Sequence, residues 1–265
     1  MTRLFQRIAD DQLALGVWIK GAPHLVHSLV KAGFDFVRPD MMFSSIDWKE
    51  LDHILRTCEA TGLTCWTRIP SNPWAGGPDQ MQVTVDAQRA FSLGVPVVQV
   101  SVSSAAQVRA LVQVAKDWHR SGAGEYPSSD STFTSQGARV VDETLLMPAI
   151  ESRTAIDEID EILDIEGLRG IMISCTDFSK ELGYPFQYDH PEVWKAIDKI
   201  TMKARDRKLV VAANTGYDFH TPERILGRVQ ALYDHGVRAV LVQGAEFLLE
   251  TYSRRLINDI RAEVR

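Results

Sequence analysis

Two carboxylates follow two apolar segments in the middle of the chain. Glu151 comes directly after residues 145–150, and Asp177 follows residues 170–174 closely. Residues 154–167, between them, carry isoleucine and leucine at helical spacing and end in a glycine, which predicts a helix. A strand–helix–strand unit of this length makes its strands parallel neighbours. Both carboxylates are therefore expected at the same edge of a sheet.

Two acidic side chains at adjacent strand ends repel each other unless a cation lies between them. A small number of oxygen ligands with open coordination positions suits Mg²⁺ or Mn²⁺, with Co²⁺ also possible, and water and substrate complete the shell. The alternative from spacing alone is that Glu151 and Asp177 cap the helices that follow them. The pattern leaves both interpretations open.

The strand–helix alternation extends over the whole chain. The predicted strands are residues 14–19, 34–40, 64–70, 96–102, 145–150, 170–174, 209–215 and 239–245. The predicted helices are residues 24–33, 47–62, 81–94, 104–118, 154–167, 178–183, 190–208, 221–236 and 246–265. Eight apolar strands separated by helices predict an α/β fold, the (β/α)8 TIM barrel, as one domain over residues 1–265.

An open doubly wound sheet is the alternative fold, but it gives no reason for the strands to stop at eight. Residues 119–143 are rich in serine, threonine and glycine and form the one irregular segment. We expect this segment to be a flexible excursion from the barrel.

Catalytic groups of a (β/α)8 barrel come from the carboxyl ends of several strands. Besides the two carboxylates, the polar residues expected there are Lys20, Asp40, Arg68, Asn214 and Gln243. Arg68 is the most informative, because its planar guanidinium group stays charged and binds a carboxylate through two parallel hydrogen bonds. A buried ion pair of Arg68 with Asp40 or Glu151 is the alternative, and it does not exclude substrate binding.

The composition is that of an ordinary globular protein, with 45% hydrophobic and 24% charged residues among 265. A net charge of −6 argues against a nucleic-acid partner. The sequence contains no run of 18 apolar residues, so it predicts no membrane span, and its first residues do not resemble a secretory signal. Cys58, Cys65 and Cys175 are scattered, which favours a reducing compartment, and we expect the cytoplasm.

The segments PAIESR (148–153) and CTDFSKELGY (175–184) resemble the metal-binding half of the HpcH/HpaI aldolase family, with Asp177 26 residues after Glu151. These are class II pyruvate aldolases of the 4-hydroxy-2-oxoheptanedioate aldolase type, within the phosphoenolpyruvate/pyruvate superfamily. The resemblance runs from about residue 16 to the C-terminal helix and is weakest between residues 119 and 143. It implies a divalent metal bound by Glu151 and Asp177. It also implies a homo-oligomer, a hexamer or trimer of dimers, in which helix 246–265 is exchanged between subunits.

The resemblance also implies a reaction. In WTRIPSNPW (66–74), Arg68 is similar to the family's arginine that binds the carboxylate and enolate oxygens of pyruvate. The metal would chelate a small 2-oxo acid and stabilise the enolate formed when the neighbouring carbon–carbon bond breaks or forms. The backbone N–H groups of Thr176 and Asp177 would hold the substrate carboxylate. We therefore expect a metal-dependent carbon–carbon lyase of the aldolase type.

The chain departs from the family pattern after the second strand. The family has an Asp-x-x-His arrangement whose histidine is the acid/base, and this chain has Asp40 followed by Phe43 at the histidine position. A phenyl ring cannot transfer a proton. The proton-transfer half of the expected site is therefore altered, although Asp40 remains a candidate catalytic residue.

Three interpretations of this departure remain open. A different base could act, and His24, His220 and Lys20 lie near loops at the predicted active-site end. The same enolate could undergo decarboxylation, hydration or condensation instead of aldol cleavage. The chain could also be a non-catalytic barrel that keeps a metal or ligand site.

Overall fold

Eight parallel strands close into a barrel in the computed structural model, which describes residues 2–71, 80–120, 145–217 and 221–264. The strands are β1 Ala14–Ile19, β2 Phe36–Pro39, β3 Thr64–Arg68, β4 Val97–Val102, β5 Leu145–Ile150, β6 Gly170–Ile173, β7 Val210–Asn214 and β8 Ala239–Gly244. Neighbours in sequence pair with each other, and β1 also pairs with β8 through Ala14 and Ala239. The predicted (β/α)8 barrel is confirmed, and the open sheet is wrong.

Helices connect the strands on the outside of the barrel. They are α1 Arg3–Ala9, α2 Leu25–Ala32, α3 Trp48–Thr61, α4 Gln80–Leu93, α5 Ala105–Arg120, α6 Arg153–Asp157, α7 Ile159–Leu163, α8 Cys175–Glu181, α9 Pro191–Asp206, α10 Pro222–Asp234 and α11 Ala245–Glu263. Most predicted helix bounds agree within a few residues. The predicted irregular segment 119–143 lies outside the described residues, apart from the end of α5.

Two predicted helices differ from the structure. The helix predicted over 154–167 is divided into α6 and α7, because the backbone at Glu158 leaves helical geometry (φ −89°, ψ 14°). The helix predicted over 178–183 begins earlier, at Cys175, since the Phe178 N–H already donates to the Ser174 carbonyl at 2.9 Å. Asp177 consequently lies inside the first turn of α8.

Alternate side chains of the strands point into the barrel and form its inner core. This cluster includes Trp18, Phe36, Trp66 and Met147, and the rings of Phe36 and Trp66 stack with centroids 5.0 Å apart. Leu4 of α1 belongs to the same cluster and is fully buried. Helix α1, which the sequence did not predict, therefore packs its apolar face against the barrel interior. The opposite side chains of the strands pack against the outer helices.

The C-terminal helix α11 packs against the core through residues near its beginning, Ala245, Phe247 and Leu248. None of its residues is buried, and large apolar side chains are exposed along it: Leu249, Tyr252, Leu256, Ile257 and Ile260. No helix within the described ranges is long and apolar enough to cross a membrane.

Candidate active site

The side chains of β2 and β3 that point into the barrel are charged at its carboxyl end. Phe36, Arg38 and Asp40 follow one another at intervals of two residues, and Trp66 and Arg68 do the same in β3. An isolated parallel bridge joins Asp40, directly after β2, to Arg68, the last residue of β3. Aromatic rings therefore fill the barrel below a layer of ionised side chains.

Asp40 binds two buried guanidinium groups. Its Oδ1 accepts from Arg68 Nε at 3.0 Å, and its Oδ2 accepts from Arg68 Nη2 and, at 3.3 Å, from Arg38 Nη2. Burial alone would raise the pKa of Asp40, but the two positive charges outweigh it and hold that pKa below its usual range. The ion pair considered as an alternative for Arg68 is thus confirmed. Asp40 stays ionised and fixes the orientation of Arg68.

Arg38 is a site residue that sequence reasoning missed. Its Nη1 donates to Gln99 Oε1 at 3.3 Å, and the same oxygen accepts from Trp66 Nε1 at 3.1 Å. Burial and the charge of Arg68 lower the pKa of Arg38 to about 10, so it remains protonated at neutral pH. The period of two along β2 could have identified it, because Arg38 must share a face with Asp40.

The loop after β2 places Phe43 against Arg68. The N–H groups of Met42 and Phe43 both donate to Asp40 Oδ1, at 3.1 and 3.2 Å. The Phe43 ring is 57% exposed, and its centroid lies 4.7 Å from the Arg68 guanidinium carbon. Phe43 therefore covers one face of the guanidinium group that the sequence assigned to substrate.

Glu151 is a buried carboxylate whose oxygens form no hydrogen bond of normal geometry with the described residues, although the Ser101 and Ser174 hydroxyls lie near it. It is 1% exposed. Burial raises the pKa of Glu151, and the charge of Asp177 adds to the rise. The hydroxyls of Ser101 and Ser174 and the charge of Arg68 lower that pKa in part. An unpartnered buried carboxylate is costly unless a cation or a proton neutralises it.

Neither acidic residue is a helix cap. Ser152 caps α6 by accepting from the Ala155 N–H at 3.3 Å, and Ser174 occupies the N-cap position of α8. The capping alternative for Glu151 and Asp177 is therefore wrong.

Asp177 and Thr176 lie in the first turn of α8 at the end of β6. Burial raises the pKa of Asp177, and Glu181 adds to the rise, whereas Lys180 and Arg68 lower it. Thr176 is buried, with its hydroxyl 3.3 Å from the Tyr188 hydroxyl. The first turn of α8 thus brings backbone N–H groups and one carboxylate to the region of Glu151.

The donors at this place fit a hard divalent cation. Glu151 and Asp177 act on each other electrostatically, and both Glu151 oxygens lack the hydrogen bonds that a buried carboxylate needs. Within the parts of the chain that the structure describes, no group of three or more histidine, cysteine or acidic side chains could hold a metal. Two carboxylates would leave most coordination positions to water and substrate.

The other polar residues predicted at the strand ends differ in their surroundings. Asn214 Oδ1 accepts from the Cys175 N–H at 3.0 Å, and Gln243 Nε2 donates to the Gly216 carbonyl at 2.9 Å. Lys20 is exposed, and its Nζ lies 5.5 Å from the Trp18 ring centroid. His24 is exposed, and His220 lies outside the described residues. The two amides therefore support backbone geometry.

Tyr217, just after β7, is a second residue that sequence reasoning missed. Burial raises the pKa of its phenol, while the charges of Arg68 and Arg38 lower it in part. The phenol is therefore within electrostatic range of the charged cluster. No sequence signal distinguishes it, because it lies in a loop with no recognisable motif.

Fold and site together define a (β/α)8 protein with a carboxylate and arginine cluster at the carboxyl ends of its strands. The sequence profile of the HpcH/HpaI aldolase/citrate lyase family matches residues 15–245, and the chain belongs to that family. Among curated relatives, 2-keto-3-deoxy-L-rhamnonate aldolase of Escherichia coli (strain K12) is 44% identical over 68 residues. That alignment spans about a quarter of the relative, 26% of each chain.

Solved structures share the fold. The HpcH/HpaI aldolase from Desulfitobacterium hafniense DCB-2 superimposes with a TM-score of 0.78 at 20% identity, covering 100% of this chain and 98% of that one. CitE from Mycobacterium tuberculosis, in complex with magnesium, acetoacetate and coenzyme A, gives a TM-score of 0.57 at 14% identity, with 95% and 88% covered. At these identities the likeness is one of fold.

Proposed function

We propose that this protein is a metal-dependent carbon–carbon lyase of the class II aldolase type, acting on a small 2-oxo acid through a pyruvate-type enolate. The observation that carries the proposal is the buried carboxylate of Glu151, which lacks hydrogen bonds of normal geometry and lies within electrostatic range of the fixed guanidinium group of Arg68. The carboxylate of Glu151 needs a cation, and the guanidinium group of Arg68 suits the carboxylate of an α-keto acid. Both groups lie at the carboxyl end of the barrel. Membership of an aldolase/citrate lyase family supports this reaction class.

Each residue has a distinct role in the proposal. Glu151 and Asp177 would hold Mg²⁺ or Mn²⁺, with Co²⁺ possible, and a bound cation of this kind stabilises negative charge on a carbonyl oxygen. Arg68 binds the carboxylate and enolate oxygens of the 2-oxo acid. Asp40 keeps Arg68 in that orientation through their paired hydrogen bonds. The N–H groups of Thr176 and Asp177 bind the substrate carboxylate.

Removing either carboxylate tests the metal assignment. We expect Glu151→Ala and Asp177→Ala each to abolish Mn²⁺ binding, measured by isothermal titration calorimetry, and activity, while the circular dichroism spectrum is kept. Asp259→Ala on the exposed face of α11 is the matched control and should bind like the wild type. Unchanged metal stoichiometry and full activity in either site variant would refute the assignment.

A second candidate, different chemistry at the same enolate, is favoured by the position of Phe43. We take Phe43 to stand where the family has its acid/base histidine, and its ring covers Arg68 without offering a proton carrier. Exchange of pyruvate methyl protons with deuterated water needs only enolate formation and a base. Exchange without cleavage of hydroxy-oxo acids would favour decarboxylation, hydration or condensation. A protein with neither exchange nor turnover would be a non-catalytic barrel.

Location and assembly complete the proposal. The three cysteines, Cys58, Cys65 and Cys175, are free and buried, which supports the reducing cytoplasm. The exposed apolar side chains of α11 support a homo-oligomer, a hexamer or trimer of dimers, in which this helix packs on a neighbouring subunit. The whole chain, residues 1–265, would then be one barrel domain with an exchanged C-terminal helix.

A further inference from the structure

The loop after β7 is held firmly at the rim of the barrel. The Gly216 carbonyl accepts from Gln243 Nε2 at 2.9 Å, and the Tyr217 N–H donates to the Tyr188 hydroxyl at 3.2 Å. Gly216 has φ +95°, and a Cβ atom there would lie 2.7 Å from the Tyr188 ring. Only glycine fits this turn, which presents the next residue, Tyr217, at the mouth of the barrel.

Tyr217 has an anchored ring and is partly exposed. Its ring packs against Trp18 and Phe247, with both centroid distances at 6.5 Å. The residue is nevertheless 45% exposed. The strands β7 and β3 are four positions apart in a ring of eight, so Tyr217 and Arg68 stand on opposite sides of the mouth. Both side chains therefore border the mouth in which the proposed substrate would bind.

Charges from several elements act on the phenol of Tyr217. Arg68 and Arg38 attract its ionised form, while Asp40 and Asp177 oppose it. Lys20 lies over the neighbouring Trp18 ring, and Glu246 of α11 accepts from the Lys20 N–H at 3.1 Å. Burial keeps the pKa of Tyr217 above its usual range, so the phenol carries its proton at neutral pH. In that state it is a hydrogen-bond and proton donor.

The other carboxylates considered for the site, and Phe43, are poor candidates for carrying this proton. Asp40 is fixed in two ion pairs with its pKa depressed, which makes it a poor proton carrier. Glu151 and Asp177 serve the proposed metal. Phe43 has no exchangeable proton. Tyr217 carries an exchangeable proton and lies within electrostatic range of Arg68 and Asp177.

We propose that Tyr217 is the catalytic residue that carries the proton of the substrate hydroxyl, an inference that rests on the proposed aldolase function. In bond formation, the enolate carbon attacks the carbonyl carbon of the acceptor, and the π electrons of that C=O bond move to its oxygen. The resulting alkoxide takes the phenol proton, and the phenolate recovers a proton from solvent. Cleavage is the reverse: the phenol first gives its proton to solvent, the phenolate takes the hydroxyl proton, and the carbon–carbon bond breaks. The carbonyl compound leaves, and the enolate takes a proton from solvent and leaves as pyruvate.

The test compares two reactions that share the enolate and differ in the hydroxyl proton. Oxaloacetate loses CO₂ to give the pyruvate enolate, with no hydroxyl proton to move. Cleavage of 4-hydroxy-2-oxopentanoate, or of 4-hydroxy-2-oxo-4-phenylbutanoate, gives the same enolate but requires that proton transfer. Both reactions are measured with added Mg²⁺ by the release of pyruvate.

Tyr217→Phe keeps the ring that packs on Trp18 and Phe247 and removes only the hydroxyl. We expect it to lower kcat for cleavage by about 10²–10⁴-fold, the usual size of general acid–base assistance, and to leave oxaloacetate decarboxylation unchanged. Tyr233→Phe, at the end of α10 where the ring lies against Arg238, is the control and should leave both reactions unchanged.

Several outcomes would overturn the inference. Cleavage at the wild-type rate in Tyr217→Phe would show that another group carries the proton. An equal loss of both reactions would assign Tyr217 to substrate binding. A wild type that decarboxylates oxaloacetate but cleaves neither hydroxy-oxo acid would remove the proton-transfer role and keep the enolate chemistry. A wild type that does neither would refute the proposed function together with this inference.

Discussion

Asp40 forms ion pairs with two buried arginines, Arg38 and Arg68, and it fixes the orientation in which Arg68 would meet the proposed substrate. The bidentate contact leaves Arg68 little rotational freedom, while the Phe43 ring covers one face of the guanidinium group. Asp40 and Phe43 therefore fix the orientation of the planar guanidinium group of Arg68, and this orientation matters in addition to its positive charge.

We expect Arg68→Lys to lose much of the activity although it keeps a positive charge. A lysine ammonium group cannot form the two parallel hydrogen bonds of the fork, and losing a charge-assisted contact of about 1.5–3 kcal/mol lowers kcat/KM by about 10–100-fold. Steady-state kinetics with a 2-oxo acid substrate measure this. Arg89→Lys is the matched control, since exposed Arg89 also lies over an aromatic ring, that of Trp48. Wild-type kinetics in Arg68→Lys would show that Arg68 has a structural role only.

Asp40→Asn should destabilise the fold strongly at neutral pH. It leaves Arg38 and Arg68 buried without a counter-ion, a loss of about 3–5 kcal/mol by comparison with other broken buried pairs. The pKa of Asp40 is depressed, so its stabilising contribution is present above the usual carboxyl range and is lost as the pH falls through the folded-state pKa. The difference in unfolding free energy between wild type and variant should therefore shrink on acidification.

Urea denaturation at neutral and acidic pH measures this difference. Asp52→Asn is the control, because it removes a partner of Arg56 from an exposed i,i+4 pair and should cost less than about 1 kcal/mol. An Asp40→Asn protein as stable as the wild type at pH 7 would contradict the assigned role of the buried pair.

At the scale of elements, loops at the carboxyl ends of the strands position the reacting groups. The loop after β2 is shaped by Asp40, which accepts from the Met42 and Phe43 N–H groups, and the loop after β7 is shaped by Tyr188 and Gln243. These contacts hold Phe43 and Tyr217 at the mouth of the barrel. Substitutions at the loop tips should change chemistry more than stability.

Phe43→His tests the loop after β2. An imidazole beside Arg68 would supply a proton carrier with a pKa near neutrality, better matched to cleavage at pH 7 than a phenol. We expect cleavage of simple 4-hydroxy-2-oxo acids to rise, by up to about 10²–10⁴-fold, and use of the natural substrate to weaken. The natural substrate is expected to present an apolar or aromatic group to the Phe43 side.

Phe43→Leu is the control for Phe43→His. It also changes the aromatic ring but supplies no proton carrier, so it should not gain cleavage activity. The interpretation of the loop would be wrong if wild type already cleaved such acids at a rate typical of the family and Phe43→His changed nothing.

At the scale of the whole molecule, α11 carries an apolar stripe that the barrel does not cover. Leu249, Tyr252, Leu256 and Ile260 follow one another at intervals of three or four residues and are all exposed. A stripe of this kind on a long helix is typical of a surface that packs on another subunit.

Leu256→Asp should reduce the assembly in solution, because it places a charge in the middle of the proposed contact. Sedimentation velocity would show an oligomer for the wild type and a smaller species for the variant. Leu226→Asp on α10 changes a single exposed leucine elsewhere and is expected to leave the assembly intact. A monomeric wild type would rule out the oligomer.

The sequence predicted the architecture well, because apolar periodicity is a local property. The eight strands and most helix ends follow from the spacing of hydrophobic residues and from capping residues such as Asp47 and Thr221, whose side chains accept from Glu50 and Arg224 N–H groups. The barrel rule then placed Arg68, Glu151 and Asp177 at one end of the molecule. Helix α1 and the break at Glu158 were missed, because α1 owes its place to the burial of Leu4 in the barrel, and nothing in the local pattern marks the break.

The amino-acid order by itself determined which residues alternate, where strands end and which family the motifs resemble. Tertiary structure decided which of those residues meet. Arg38 belongs to the site because β2, β3 and β4 lie side by side in the barrel, so that Arg38 reaches Gln99 of β4 and shares Asp40 with Arg68 of β3. Tyr217 lies within electrostatic range of Arg38 and Arg68 because closure of the barrel brings the ends of β7, β8 and β1 together. Such contacts join positions far apart in the chain, and their energies arise only once the sheet has closed on itself.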